Sequence, residues 1–376
     1  MTKIPLILDG ARTPFCAWAG GARADGEKGG ALKPLDPIDL GAAALKAALS
    51  RSQVLPAAVG QVVFGNTYAV GPHATYGARY VAHRAGVPPE APGVTVVMAC
   101  ASGLQAVVSA ADAVQRGQAH IAAAVGADNC SLVARSVFVP SFKDLMCERP
   151  ISEIAQEMSK DYGFSRRDQD RWALRSHQRA AAARARGVFQ EEITPTGGLD
   201  QDDAIIENPT PERFAQAKQL CEGGDATSAN THAIVDGGSA ILLADPEGAR
   251  GAADALGRLV GSAVVGVAGD RMPYASALAI RKALGAAGWN ISEVDLFEIN
   301  ETFASQILVA VKELGIGEDR VNVNGGALAL GHPFGGTGPR LVYTLLKELR
   351  RRGLKRGMAA ICAGGGSGVA VAIETV

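Results

Sequence analysis

Read for hydrophobic periodicity, the chain has one rhythm in its outer thirds and another in the middle. In the first third, residues 4–8, 62–64, 94–98 and 121–125 are apolar runs short enough for buried strands. Between them lie alanine-rich segments with apolar residues at helical spacing: Leu45 and Leu49 share one face, as do Leu104, Val107, Val108, Ala111 and Val114. Strands alternating with helices predict an α/β fold, a mostly parallel sheet covered on both faces. The last third repeats the pattern, with strands at 259–267 and 294–299 and helices at 275–286, 303–314 and 341–352. Residues 321–338 read as a long glycine-rich loop, and 358–363 with 369–375 as an antiparallel hairpin. Each outer third sets a cysteine at the end of an apolar strand, which suggests a duplicated core.

The middle, roughly 131 to 235, is more charged and lacks long β-branched runs. Residues 151–162 form an amphipathic helical pattern. A second helix starts at Ser165, where Asp168 at N3 completes a capping box, and stops at Gly187. Residues 195–219 read as loop followed by helix. The middle is an excursion carried by the α/β core.

Composition narrows the function classes. A chain of 376 residues with 47% hydrophobic content predicts two or three domains and excludes general disorder. Lys and Arg number 37 against 38 Asp and Glu, so there is no global field for nucleic acid. Cys16, Cys100, Cys130, Cys147, Cys221 and Cys362 are scattered without a CxxC pair, which argues against a metal cluster and for reduced thiols in the cytoplasm. No apolar run reaches membrane-spanning length, and MTKIPLILDG reads as a first strand rather than a signal peptide. The 46 glycines are an excess that needs a reason, because glycine is entropically costly to order.

Four places carry candidate chemistry. Cys100 sits between a strand and a helix, where the helix dipole favours thiolate and Ala99, Ala101, Ser102 and Gly103 leave room beside the sulfur. The bland alternative is an inert buried cysteine. His332, in Gly331-His-Pro-Phe-Gly-Gly336, can take a proton from a thiol, or simply bond a loop carbonyl. Cys362 precedes Gly364-Gly-Gly366, whose N–H groups can cradle an oxyanion, or form a plain glycine turn. Asn300 opens a helix, as a functional amide or as a cap.

Together these segments resemble the thiolase family. The family's nucleophile segment is matched by Cys100-Ala-Ser-Gly103, and its Asn-Glu segment by Asn300-Glu-Thr-Phe-Ala304. Its histidine segment is matched by Asn324-Gly-Gly-Ala-Leu-Ala-Leu-Gly-His-Pro333, and its C-terminal cysteine segment by Cys362-Ala-Gly-Gly-Gly366. Ala11-Arg-Thr-Pro-Phe15 and Arg175-Ser-His177 fit as well, so the resemblance spans nearly the whole chain. Within the family, Tyr274-Ala-Ser276, Phe303-Ala-Ser-Gln-Ile-Leu308 and His332-Pro-Phe-Gly-Gly-Thr-Gly338 look most like the β-subunit branch of the trifunctional enzymes.

The resemblance implies two similar α/β halves in a five-layer αβαβα arrangement. These are 1–130 completed by 236–256, and 257–376, with 131–235 as an inserted loop domain covering CoA. It implies an acyltransferase that cleaves 3-ketoacyl-CoA with CoA, or runs the reverse Claisen condensation, in fatty-acid metabolism and β-oxidation. Cys100 would carry the acyl group, His332 would activate it, Cys362 would exchange a proton with the α-carbon, and Asn300 would hold a water in one oxyanion hole. The backbone N–H groups of Cys100 and Gly364 would form the other hole. CoA and acyl-CoA would be substrates, with no permanently bound cofactor and no metal. The resemblance implies a homodimer or homotetramer and leaves room for a hydratase/dehydrogenase partner subunit.

For CoA contacts, the arginine-rich stretch 165–187 offers Arg175 and Arg179, and Ser228 and His232 occupy the family's pantetheine-facing segment. Three departures stand out: the stretch 131–151 is short, His232 replaces the usual serine, and Met272-Pro-Tyr274 replaces a Gly-Pro segment. They motivate an alternative, a thiolase-like acyl-CoA- or lipid-binding scaffold with weak or no activity. A decarboxylating ketoacyl synthase ranks lower, because Cys362 does not suit its two-histidine or His-Asn pattern.

Overall fold

The computed structural model describes residues 4–24, 26, 28–220 and 223–376, so Cys221 lies outside the described residues. In chain order the first half contains β1 (Leu6–Arg12), α1 (Pro37–Arg51), β2 (Gln61–Gly65), β3 (Gly93–Val96), α2 (Ser102–Gln115) and β4 (Ile121–Asp128). The middle contributes α3 (Ile151–Asp161) and α4 (Arg166–Ala185) before β5 (Val235–Ala244). The second half runs β6 (Gly257–Gly266), α5 (Ala275–Ala287), β7 (Leu296–Ile299), α6 (Ala304–Leu314), α7 (Phe334–Arg352), β8 (Arg356–Ala363) and β9 (Ser367–Thr375).

The strands lie in the order β7-β8-β9-β6-β1-β5-β4-β2-β3. Within each half the order is second, third, fourth, first: β2-β4-β5-β1 and β7-β8-β9-β6. With the edge strand β3 left aside, the directions also repeat: β2 and β4 are parallel like β7 and β8, and the remaining neighbours in each half are antiparallel; β3 adds one more parallel pairing, to β2. The duplication hinted at by the sequence is therefore present in the topology. The halves join where Leu6 and Ile7 pair with Arg258 and Gly257. The expected mostly parallel sheet is corrected to a mixed one. β9 returns from β8 through a tight hairpin and so must run antiparallel to it.

Alternation along the strands sorts side chains into layers. On β4, Ala122 and Ala124 join a central core with Leu104, Val107, Leu341 and Leu345 of α2 and α7, whereas Ile121, Ala123 and Val125 face Leu45 and Leu49 of α1. On β9, Val369, Val371 and Ile373 face the same central core, and Ala370 and Ala372 face Ile280 and Ala283 of α5. Helices thus cover the outside of each half-sheet, and α2 and α7 share the space between them.

The glycine-rich segment is not one long loop, because α7 begins at Phe334 inside it. A Cβ on Gly338 would stand 1.9 Å from the backbone N of Leu104, and one on Gly103 would stand 1.9 Å from the carbonyl O of Gly335. These glycines let α7 and α2 touch backbone to backbone. Gly364 is different, with nothing within 4 Å of its would-be Cβ.

Residues 129–234 leave the sheet after β4 and return at β5, its antiparallel neighbour. The capping box at Ser165 forms as read, with Asp168 Oδ2 accepting the Ser165 N–H at 2.9 Å, and Gly187 ends the helix at φ +75. The helix expected within 195–219 is only the short turn Pro211–Ala215.

Candidate active site

Cys100 follows β3 in a turn fixed by hydroxyls. Ser102 Oγ accepts the Met98 N–H at 2.8 Å and donates to the Ala99 carbonyl at 2.7 Å, and the Thr67 hydroxyl donates to that same carbonyl at 2.8 Å. Ala99 sits at φ +44, a left-handed conformation that costs a non-glycine residue roughly 1–3 kcal/mol. The network holds that strain and sets the cysteine's direction. Burial pushes the Cys100 thiol up to about 12, with the neighbouring Cys362 adding to the rise. The backbone N–H groups of Gly364 and of Cys100 itself favour the charged sulfur and pull the other way. The thiolate expected from the helix dipole is thus outweighed by desolvation, and the resting sulfur is a thiol.

His332 is fully buried. Its Nδ1 lies 2.6 Å from Thr337 Oγ1, and that hydroxyl donates to the Pro333 carbonyl at 3.0 Å. With its proton so used, the Thr337 oxygen must accept Nδ1–H, which leaves Nε2 as the bare lone pair. Nε2 is buried and has no hydrogen-bond partner among the described residues. Burial, reinforced by nearby His232 and Arg340, holds this imidazole well below its ordinary value, so it stays neutral. An unpartnered buried acceptor is a base awaiting a proton.

Cys362 ends β8, fully buried, and burial pushes its thiol up to about 12. The Thr302 hydroxyl lies 3.9 Å from its sulfur and also accepts from Asn300 Nδ2 at 3.3 Å. Asn300 Oδ1 is buried without a partner. Asn300, Thr302 and Cys362 therefore form one polar chain, and Cys362 and Gly364 both lie close enough to Cys100 to act on its thiol.

His232 is 6% exposed and stands edge-on to His332, ring centroids 5.1 Å apart. Its Nδ1 donates to the Ala233 carbonyl at 3.2 Å, so its Nε2 is also an acceptor, and burial lowers its pKa to about 4. His232 and Ser228 line a cavity of about 180 Å³ with Phe142, Ile151, Leu220 and Phe303.

Arg175 and Arg179 are not brought to this cavity. Arg175 pairs with Glu318 at 2.5 Å and lies 3.9 Å over the Trp172 ring. Arg179 donates to the carbonyls of Glu318, Val321 and Asn322. Most of the basic face of α4 is engaged within the protein: Arg166 pairs with Asp170, and Arg184 with Glu207. The arginines dock the helix, which is why the run of charge looked like a binding face in one dimension.

Sequence reading missed the supporting residues. Thr337 sets the His332 tautomer, and Thr302 links Asn300 to Cys362. Glu301, buried, accepts from Trp172 Nε1, Ser176 Oγ, Asn322 Nδ2 and the Leu328 N–H, tying α4 and the 322–328 turn to the residue beside Asn300. Asp128 accepts from the Thr67, Tyr68 and Gly335 N–H groups, joining the Thr67 turn to the start of α7. Thr337 and Thr302 lie within the segments already singled out, two to five residues from the groups they serve, whereas the partners of Glu301 and Asp128 come mostly from distant segments that no spacing marks.

Residues 7–247 match the family model of the thiolase N-terminal domain, and 253–375 that of the thiolase C-terminal domain. An acetyl-CoA acetyltransferase of Chromobacterium violaceum is 36% identical, covering 93% of this chain and 96% of its own length. Peroxisomal 3-ketoacyl-CoA thiolase A of Rattus norvegicus is 36% identical over 98% of this chain and 88% of its own. The crystal structure of human mitochondrial 3-ketoacyl-CoA thiolase superposes with a TM-score of 0.93 at 32% identity, covering 100% of this chain and 99% of that one. That enzyme in complex with CoA superposes equally well, at 31% identity and over 98% of its chain. Sequence, topology and site geometry agree: the chain belongs to the thiolase family and is an acyl-CoA acyltransferase.

Proposed function

We propose that Cys100, His332, Cys362 and Asn300 perform thiolytic cleavage of a 3-ketoacyl-CoA, or the reverse condensation, through an acyl-thioester on Cys100. The observation that supports this reading best is His332: buried, held neutral, and with an Nε2 that has no partner among the described residues, in a fold where Cys362 and the Gly364 N–H both act on the Cys100 thiol. In cleavage, His332 Nε2 takes the Cys100 proton as the sulfur attacks the substrate's keto carbon. The bond between that carbon and the α-carbon then breaks. The departing enolate of acetyl-CoA takes its proton from Cys362, leaving the shortened acyl group on Cys100. A CoA thiol then gives its proton to the Cys362 thiolate and attacks this thioester; the Cys100–acyl bond breaks, and His332 returns its proton to the Cys100 sulfur, which restores the resting enzyme. Charge builds on two oxygens at different steps, so two sets of donors are needed. The N–H groups of Cys100 and Gly364 form one set, and a water held by Asn300 the other.

Residues 131–235 act as the loop domain over CoA, and 1–130 with 236–256, and 257–376, as the two halves. Ser228 and the open Nε2 of His232 suit the amide N–H groups of the pantetheine arm, since both side chains line the cavity. The same reading places the enzyme in fatty-acid β-oxidation in the cytoplasm, as a homo-oligomer. The edge strand β3 supports an oligomer. It pairs with β2 on one side only, and Val94 within it and Val97 just after it are exposed.

The test is to mix 3-ketoacyl-CoA with CoA and follow loss of the magnesium-enolate absorbance. Cys100→Ala abolishes turnover and acyl-enzyme alike, whereas Cys362→Ala still forms the acyl-enzyme but no longer makes or breaks the carbon–carbon bond. A folded wild-type protein inactive at every chain length refutes the reading, and survival of both steps in Cys362→Ala refutes the role of Cys362.

A further inference from the structure

We propose that Asp144 is a positioning residue for this reaction, holding the Gly364-Gly365-Gly366 turn so that the Gly364 N–H stays where it can act on the Cys100 sulfur. The role rests on the reading of that N–H as an oxyanion donor. Asp144 belongs to the inserted segment, in a short hairpin where it pairs with Arg149 and Lys143 pairs with Pro150. It is 3% exposed. Its Oδ1 accepts the Met146 N–H at 2.8 Å and the Cys147 N–H at 3.2 Å, and the Cys147 thiol donates to it at 3.5 Å. Its Oδ2 accepts the Gly365 N–H at 3.2 Å. One oxygen shapes the hairpin, and the other reaches the glycine turn that follows Cys362.

The turn needs such a tie. Gly365 and Gly366 sit at φ +76 and +65, and nothing lies within 4 Å of a would-be Cβ on Gly364 or Gly365. Packing therefore does not wedge this stretch, and successive glycines have the most conformational freedom to lose. Two hydrogen bonds tie it to the rest of the fold. The Gly366 carbonyl accepts the Val267 N–H at 2.7 Å, and the Gly365 N–H goes to Asp144. The second bond fixes the peptide unit that joins Gly364 to Gly365, next to the Gly364 N–H. Gly269 makes room for the carboxylate, since a Cβ there would stand 2.4 Å from Asp144 Oδ1.

The Gly364 N–H favours the charged form of the Cys100 sulfur. Such a donor works only where the charge forms, and a misplacement of about 1 Å can cost about 100-fold in rate. A carboxylate suits the task because both its oxygens accept, so it serves the hairpin and the glycine turn together. An amide in its place has one accepting oxygen. Met146 and Cys147 offer that oxygen two N–H groups, so the amide nitrogen is left facing the Gly365 N–H.

The experiment compares wild type, Asp144→Asn and Asp144→Ala, with thermal melts to establish folding. Asparagine keeps the hairpin contacts and loses the Gly365 bond, and alanine loses both. In each variant kcat for thiolysis of acetoacetyl-CoA falls by a factor of about five or more, with KM nearly unchanged. Iodoacetamide labelling of Cys100 at pH 9, read on its peptide by mass spectrometry, falls about twofold or more, because the thiolate has lost a donor. A hairpin anchor alone would lower the melting temperature and raise KM while leaving the labelling rate as it was. A smaller fall in either kcat or labelling in a folded variant overturns the assignment. Amide exchange in the wild type decides it should neither variant fold: a protected Gly365 N–H supports the tie, and exchange at the rate of an unfolded peptide overturns it. Labelling and exchange need no turnover, so a wild type inactive on every 3-ketoacyl-CoA refutes the thiolase reading separately from the tie.

Discussion

Replacing Thr337 with valine tests whether the His332 tautomer matters. The side chain keeps its shape and loses one acceptor. In the wild type, Nδ1–H is received by the Thr337 oxygen at 2.6 Å, inside a site with no access to water for that nitrogen's partner. Without it, a buried donor is left unsatisfied, which costs roughly 1–3 kcal/mol. The ring can escape that cost by moving its proton to Nε2 or by rotating, and either change removes the lone pair that must accept the Cys100 proton. At 1.36 kcal/mol per factor of ten, the loss in kcat/KM is about 5- to about 150-fold. Thr337→Ser keeps the hydroxyl and should recover most of the rate. The assays are steady-state thiolysis and the single-turnover rate of Cys100 acylation, with a thermal melt on each variant. A purely structural role would lower the melting temperature without separating serine from valine in acylation rate. If folded Thr337→Val acylates within twofold of wild type, the argument for an Nε2 base positioned through Nδ1 fails.

Three further outcomes follow from the same geometry. Because burial holds the Cys100 thiol near 12, its alkylation by iodoacetamide in the free enzyme should rise about tenfold per pH unit from pH 7 to 10; a plateau below pH 8 would show a preformed thiolate instead. Gly338→Ala should lower stability by about 3 kcal/mol in urea unfolding, since the new methyl meets Leu104 backbone at 1.9 Å and must drive α7 from α2; a loss under 1 kcal/mol would mean the helices yield easily. Arg12→Met should cost about 3–5 kcal/mol, because Glu192 and Asp202 lose the guanidinium that they grip at 3.1 and 2.7 Å in a buried site. Near-wild-type stability of that variant would show that the pair contributes little.

The amino-acid sequence alone determined the strand–helix rhythm, the helix starts that side-chain caps define, and the four chemically loaded segments. Periodicity and capping are local, so Ser165 and Asp168 could be read within four residues. The repeated half was legible only as a rhythm. Its proof is strand order, which depends on which distant segments pair. Tertiary structure alone decided what the glycines and arginines are for. In sequence Gly335 and Gly338 were only part of an unexplained excess; in the fold they are the contact between α7 and α2, whereas Gly364 has open space around it. Arg175 and Arg179 looked like phosphate ligands until Glu318 and the carbonyls of the 318–322 turn were found against them. The state of the two thiols is equally a tertiary property. A cysteine's place before a helix is written in sequence, but desolvation depends on everything packed around it, and here that surrounding outweighs the helix dipole. The sequence names the reacting groups, and the fold sets their protonation because burial depends on segments far apart in the chain, even where the hydrogen-bond partner, as Thr337 for His332, is close by.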